Sequence, residues 1–296
     1  MWAAKRIARN PPVNRSTADW LDARLRTQAL AASTQNFAVQ QGKLMKLRVS
    51  VALSIGLLVV LAAFGAEAIQ NGEALVRAMH ARYENSWYET TTFTQKSTTY
   101  NPDGTTKVAT WYEAASLPGK LRIDFGEPSE GNAAILVNNT AYFFQKGQQT
   151  STRPYMNMLL VLGFDVYRQS PEATLAELKQ EGIDLTKFHE EDWQGEPTYV
   201  VGADKGDLKS KQFWVEKKRL LFVRIIEPDQ EDPKVTEDTR FTDYRPAGKA
   251  FIAARVEVYH EGKLVFTEEY TEIKTGMKLD PATFDPAKFA TAPSAK

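Results

Sequence analysis

Residues 87–125 read WYETTTFTQKSTTYNPDGTTKVATWYEAASLPGKLRIDF, and their periodicity decides the fold. From Trp87 to Lys96 the period is two. Trp87, Glu89, Thr91, Phe93 and Gln95 share one face, and Tyr88, Thr90, Thr92, Thr94 and Lys96 share the other; threonine and aromatic side chains suit a pleated surface. Asn101-Pro102-Asp103-Gly104 turns the chain into a partner strand, Lys107 to Ala115, because Asp-Gly between two strand patterns is a hairpin signal. Leu117-Pro118-Gly119 then bends it into a third strand, where Leu121, Ile123 and Phe125 alternate with Arg122 and Asp124. One face is greasy and the other charged, as in an antiparallel sheet with one wet side.

The same reading extends downstream. Ala134 to Val137 and Thr140 to Lys146 pair across Asn138-Asn139, and the absence of any helical pattern between these strands argues for a meander. Pro154 to Phe164 breaks the pattern and reads as a short hydrophobic helix carrying Met156, Met158, Leu159, Leu160 and Leu162. Ser170 caps a second helix with Pro171 at its first position, and Gly182 stops it. Strands return at Phe188 to Trp193, Pro197 to Gly202, Gln212 to Glu216 and Leu220 to Glu227, where Leu221, Val223 and Ile225 make an apolar face. Val235 to Tyr244, Phe251 to His260 and Lys263 to Thr275 complete the set, and a Pro- and Ala-rich tail covers an edge before fraying.

Upstream, Leu75, Val76, Met79 and Tyr83 recur at helical spacing, so Gly72 to Tyr83 is an amphipathic helix in need of a surface to lie on. About eleven antiparallel strands are too many to lie flat. The predicted fold is mainly β (α+β): an incomplete antiparallel β-barrel covered by the leading helix and a mid-chain helical lid, since so much apolar surface must be plugged.

Ahead of this domain, Met45-Lys46-Leu47-Arg48 is a short basic lead, Val49 to Phe64 carries no charge, and Ala66-Glu67-Ala68 is a small-x-small ending. That is the order of a cleaved secretory signal peptide. A spanning helix wants roughly 20 apolar residues, and the alternative is an inner-membrane anchor through residues 49–64. Residues 1–44, with Arg6, Arg9, Arg15, Arg24 and Arg26 but little apolar periodicity, read as an over-extended or disordered segment before a true start at Met45. The expected division is 1–44, a signal peptide at 45–68, and a binding domain at 69–296. N-terminal sequencing of the exported protein is expected to begin at Ile69; a retained Met1 contradicts this.

Composition narrows the function. Of 37 basic and 37 acidic side chains, nine and three precede Ile69, leaving 28 against 34 and a net charge of −6. A mildly acidic domain without a basic cluster is a poor partner for phosphate backbones, so no nucleic acid is expected. Cysteine is absent, and stability therefore comes from core burial. The three histidines, His80, His189 and His260, form no zinc helix, and there is neither a Gly-x-Ser-x-Gly elbow nor a phosphate loop. His189 beside Glu190-Glu191-Asp192 is either a metal ligand or a solvated turn. No cofactor and no metal is expected, and a hydrolase would need a carboxylate pair that sequence does not reveal.

The candidate cavity residues are Phe93, Trp111, Leu121, Ile123, Phe125, Phe143, Trp214, Leu221, Val223 and Ile225, all of which ordinary core packing explains equally well. The methionine-bearing segment is the candidate lid, because flexible thioether side chains re-pack around varied ligands; the alternative is that it simply fills a core. In order, the leading helix, Phe93-Thr94-Gln95-Lys96, a hairpin, Pro118-Gly119-Lys120-Leu121-Arg122-Ile123-Asp124 and a closing Lys278-Leu279-Asp280-Pro281-Ala282-Thr283-Phe284 resemble the outer-membrane lipoprotein-sorting proteins of the LolA-like group. The resemblance implies an incomplete barrel lidded by helices whose concave apolar face takes up acyl chains. In the carriers of that group an arginine just before the matching proline latches the lid; here the position is Leu117, so that latch does not transfer.

The functional expectation is a periplasmic, monomeric, non-catalytic carrier sheltering lipoprotein or lipid acyl chains, with donor or acceptor proteins at the membranes. Burial at about 25 cal/mol per Å² would hold roughly two or three chains. The alternative is an envelope-stress sensor on the same fold, binding a lipid signal and a protein partner.

Overall fold

The structure, a computed structural model, describes residues 69–229 and 232–296; the expectations for residues 1–68 lie outside the described residues. The leading helix is α1 (Gly72–Tyr83). Six strands follow: β1 (Thr90–Tyr100), β2 (Thr106–Ser116), β3 (Lys120–Phe125), β4 (Ala133–Val137), β5 (Thr140–Gln145) and β6 (Gln148–Pro154). The helical interruption comprises α2 (Met158–Gly163), a 3₁₀ turn (Asp165–Tyr167) and α3 (Pro171–Gln180). Then come β7 (Phe188–Trp193), β8 (Glu196–Val201), β9 (Gln212–Glu216), β10 (Leu221–Pro228), β11 (Thr236–Ala247), β12 (Ala250–His260) and β13 (Lys263–Thr275).

All thirteen strands belong to one antiparallel sheet ordered β6-β5-β4-β3-β2-β1-β13-β12-β11-β10-β9-β8-β7, with β6 and β7 as unjoined edges. The count exceeds the expected eleven chiefly through β6. Its residues are exposed on both faces, so it carries no alternation to read. Among the described residues no helix is long and apolar enough to cross a membrane.

Local chemistry accounts for the ends of these elements. Asn71 Oδ1 accepts from Ala74 N at 2.8 Å and caps α1, whose Leu75, Val76, Met79 and Tyr83 are buried. Gly72 is required by contact: a Cβ there would sit 2.6 Å from Val201 Cγ1 of β8. In the β1–β2 turn the Asp103 carboxylate accepts from Thr105 N at 2.9 Å and from its hydroxyl at 2.6 Å, while Gly104 takes φ +85°.

Register puts Phe93 opposite Glu113 and Gln95 opposite Trp111 on β1 and β2, with Ile123 of β3 next to Glu113 and Tyr270 of β13 next to Gln95. Opposed residues share a face, so these side chains form the inner floor. A flat sheet would hold β3 and β11, five positions apart, about 24 Å from one another. Yet Leu121 of β3 and Phe241 of β11 line a single cavity, so the sheet bends around it. The helices fill the hollow, and one large apolar cluster joins them to the inner face.

Two expectations need correction. Trp214 and Val223 lie on the outer face, in a separate cluster with Val200. The cause is a bulge between Phe222 and Arg224, which pairs Phe222 with Val215 and Arg224 with Trp214, so simple alternation from Leu221 fails after one step. Leu221 and Ile225 remain inside.

The second correction concerns the charged face of β3. Arg122 and Asp124 do point away from the hollow, but they are 3 % and 1 % exposed, because the C-terminal tail lies over them. Arg122 pairs with Asp124 at 2.9 Å and donates to the carbonyl of Pro293, and Asp124 accepts from Ala295 N at 2.7 Å. Phe289 stacks on Phe144 at 3.9 Å. The tail thus seals the outer face of β2 to β5 through to Lys296, which pairs with Glu127 at 2.9 Å.

Candidate ligand cavity

Beneath α2 the inner face keeps a cavity of about 70 Å³. Its floor is Phe93, Trp111, Glu113, Ala115, Leu121, Ile123, Glu268 and Tyr270, and its roof is Tyr155, Asn157, Leu159, Leu160 and Phe164, with Phe241 at the side. Of the sequence candidates, Phe93, Trp111, Leu121 and Ile123 line it directly. Phe125, Phe143, Leu221 and Ile225 belong to the surrounding core, and Trp214 and Val223 are outside. In the lid, Leu159 and Leu160 face the cavity, while Met156, Met158 and Leu162 pack deeper in the core. Asn157, Leu159 and Phe164 are half-buried, so the roof is also the surface.

The empty space is smaller than the sequence suggested. A water's share of liquid volume is about 30 Å³ and a methylene group is comparable, so 70 Å³ takes two or three such groups and not a set of acyl chains. The lid side chains themselves occupy the hollow.

How the lid is held follows from its ends. Asn157 caps α2 by accepting from Leu159 N at 3.0 Å and Leu160 N at 3.2 Å. Tyr155 N donates to the carbonyl of Asn139 at 2.8 Å, which ties the entry to the β4–β5 turn. At the exit the Tyr167 ring stacks on Trp87 at 3.9 Å, and its hydroxyl accepts from Phe222 N at 2.9 Å and donates to the Leu220 carbonyl at 3.3 Å. Asp165, 2 % exposed, receives the Gly119 N–H at 3.1 Å on either carboxylate oxygen. Burial, reinforced by the Glu177 charge and opposed by the Gly119 bond, pushes the Asp165 carboxyl up to about 8. Asp165, on the lid side, thus meets the β2–β3 turn at Gly119. Between these anchors, Leu159 and Leu160 meet the floor through apolar contact.

The floor is not uniformly greasy. Glu113 is 6 % exposed, and burial together with the Glu268 charge pushes its carboxyl well above the usual range. The Tyr270 hydroxyl donates to Glu268, and its ring stacks on Phe93 at 4.2 Å. The sequence-based candidates did not include Glu113. The available signal was its phase: it sits between Trp111 and Ala115 on the face that otherwise reads apolar.

Elsewhere, His260 Nε2 lies 3.2 Å from Glu237 and 3.5 Å from Asp229, and these are the described residues whose potential ligand atoms gather within 4.8 Å. None of the three lines the cavity. His189 is 3.9 Å from Glu191 and is not part of that group.

No family model and no curated sequence matches the chain. A DUF1329 family protein from Desulfovibrio piger superposes with a TM-score of 0.50 at 15 % identity, covering 74 % of this chain and 97 % of its own. The two share a fold. Its structural neighbours also include a LolA superfamily protein from Nitrosomonas europaea, with TM-score 0.46, 12 % identity, and coverage of 71 % and 96 %. A domain assigned to outer membrane lipoprotein sorting from Vibrio parahaemolyticus gives 0.49, 12 %, and 74 % and 98 %.

Proposed function

We propose that the chain is a non-catalytic binding protein that shelters an apolar chain, such as the acyl chain of a lipid or lipoprotein, against the floor formed by Phe93, Trp111, Leu121 and Ile123. The observation that carries this reading is the nature of the cover. An apolar floor drawn from β1, β2, β3 and β13 is roofed by a six-residue helix whose Leu159 is half-exposed, where a sandwich would have a second sheet. Withdrawing Leu159, Leu160 and Phe164 would bare a greasy trough, and a chain of similar character would replace their contacts at about 25 cal/mol per Å². Export through a signal peptide at 45–68 and delivery between membranes belong to the same proposal, and sorting proteins with this arrangement of elements make it coherent.

Ala115→Leu tests it. Three added carbons occupy roughly the volume of the 70 Å³ cavity, so the variant is expected to fold within about 1–2 kcal/mol of the parent. It should bind an apolar fluorescent probe at least tenfold more weakly. Unchanged probe affinity in the folded variant would move the binding site elsewhere.

A further inference from the structure

The polar groups on the floor say which kind of chain fits. Glu113 and Glu268 both line the cavity, one from β2 and one from β13, and the Tyr270 hydroxyl donates to Glu268. Trp111 also lines it; the residue is 2 % exposed, and its indole N–H has no hydrogen-bond partner. Gln95, fully buried between Trp111 and Tyr270 in the register, leaves its Oε1 without a donor. Each unpaired buried polar atom costs the free energy of a lost hydrogen bond. Gln95 does not itself line the cavity, so the group left unanswered there is one donor, the Trp111 N–H, beside two acids.

The geometry points to a polar subsite on this floor for the head of an amphiphile that is uncharged and offers both a donor and an acceptor, an amide or an alcohol at the end of an alkyl chain. A neutral N–H or O–H can meet a floor carboxyl, and the oxygen beside it can meet the Trp111 N–H. A carboxylate or phosphate head would add negative charge to a low-dielectric hollow where burial and the Glu268 charge already disfavour ionisation of Glu113, and like charges repel strongly there. A bare alkane would leave the Trp111 donor as it is. Pockets of this kind, apolar with a few convergent polar groups, fix orientation through those groups. The chain would enter head first, its tail taking the place of Leu159, Leu160 and Phe164 on the apolar floor.

This inference rests on the cavity being the chain-binding site, and the experiment separates the two. Dodecanamide, dodecanoate and dodecane are titrated against a bound apolar fluorescent probe on the full chain, on Glu113→Gln and on Trp111→Phe. The expected result is displacement by dodecanamide at a concentration at least tenfold below that of dodecanoate and of dodecane. Glu113→Gln should narrow the gap to dodecanoate several-fold, and Trp111→Phe should narrow the gap to dodecane. If all three ligands displace equally, or if both folded variants keep the parental ratios, the polar subsite is wrong while the cavity reading stands. If none displaces the probe, both are wrong.

Discussion

Asp165→Asn is expected to make the protein more stable, and increasingly so as the pH rises towards 8. The carboxyl titrates near 3.8 when the chain is unfolded and is raised to about 8 in the fold, so folding takes up a proton between those values. The contribution of Asp165 to stability is fully present below pH 3.8 and is lost as the pH climbs through 8. The slope is at most about 1.4 kcal/mol per pH unit, on the order of 5 kcal/mol across the window. Asparagine keeps the shape and an oxygen for the Gly119 N–H but cannot ionise. Urea melts at pH 5 and pH 8 should therefore show a pH-dependent loss in the parent and a much flatter response in the variant. The groups facing Asp165 are the Gly119 N–H and, from α3, the Glu177 carboxylate that adds to the upward push. A functional consequence goes with it: ionising Asp165 loosens the lid exit, so parental probe uptake should quicken from pH 5 to 8 and that of the asparagine variant should not.

Tyr167→Ala is the second large effect. The side chain is fully buried, stacked on Trp87, edge-on to Tyr83 at 5.3 Å, and bonded to both Phe222 N and the Leu220 carbonyl. Truncation removes the ring and leaves a strand amide without its partner, an expected cost of about 3–5 kcal/mol. Tyr167→Phe keeps the ring and loses only the hydroxyl, at about 1–2 kcal/mol. Denaturant melts of the pair separate the two contributions. Because this anchor lies at the lid exit, limited proteolysis of the alanine variant should cut first between residues 155 and 170.

How far sequence carries depends on where each residue stands. Gly72 to Tyr83 and the helix from Pro171 were legible because caps and apolar spacing are local signals, and the structure keeps those bounds. The inner residues of β1 to β3 followed from alternation, which holds while a ladder is regular. It fails at Val223, where one bulged residue resets the phase, and at β6, where both faces meet solvent. Arg122 was given its proper face but the wrong medium. Its cover is a tail more than 160 residues away in sequence, and no local pattern announces a long-range contact. Asp165 carried no signal at all, since a single acid in Asp165-Val166-Tyr167 looks like any surface turn until Gly119 is brought beside it. Glu113 was readable in principle, as an acid in the apolar phase of its strand.

For a chain to reach the floor, the lid must move. Hydrogen exchange, followed by mass spectrometry with and without saturating dodecanamide, measures this directly. Lid amides from residues 155 to 168 are expected to lose protection when ligand is bound, while those of β1 to β3 gain it. Ligand bound with the lid fully protected, or protection lost over the outer-face tail instead, would contradict it.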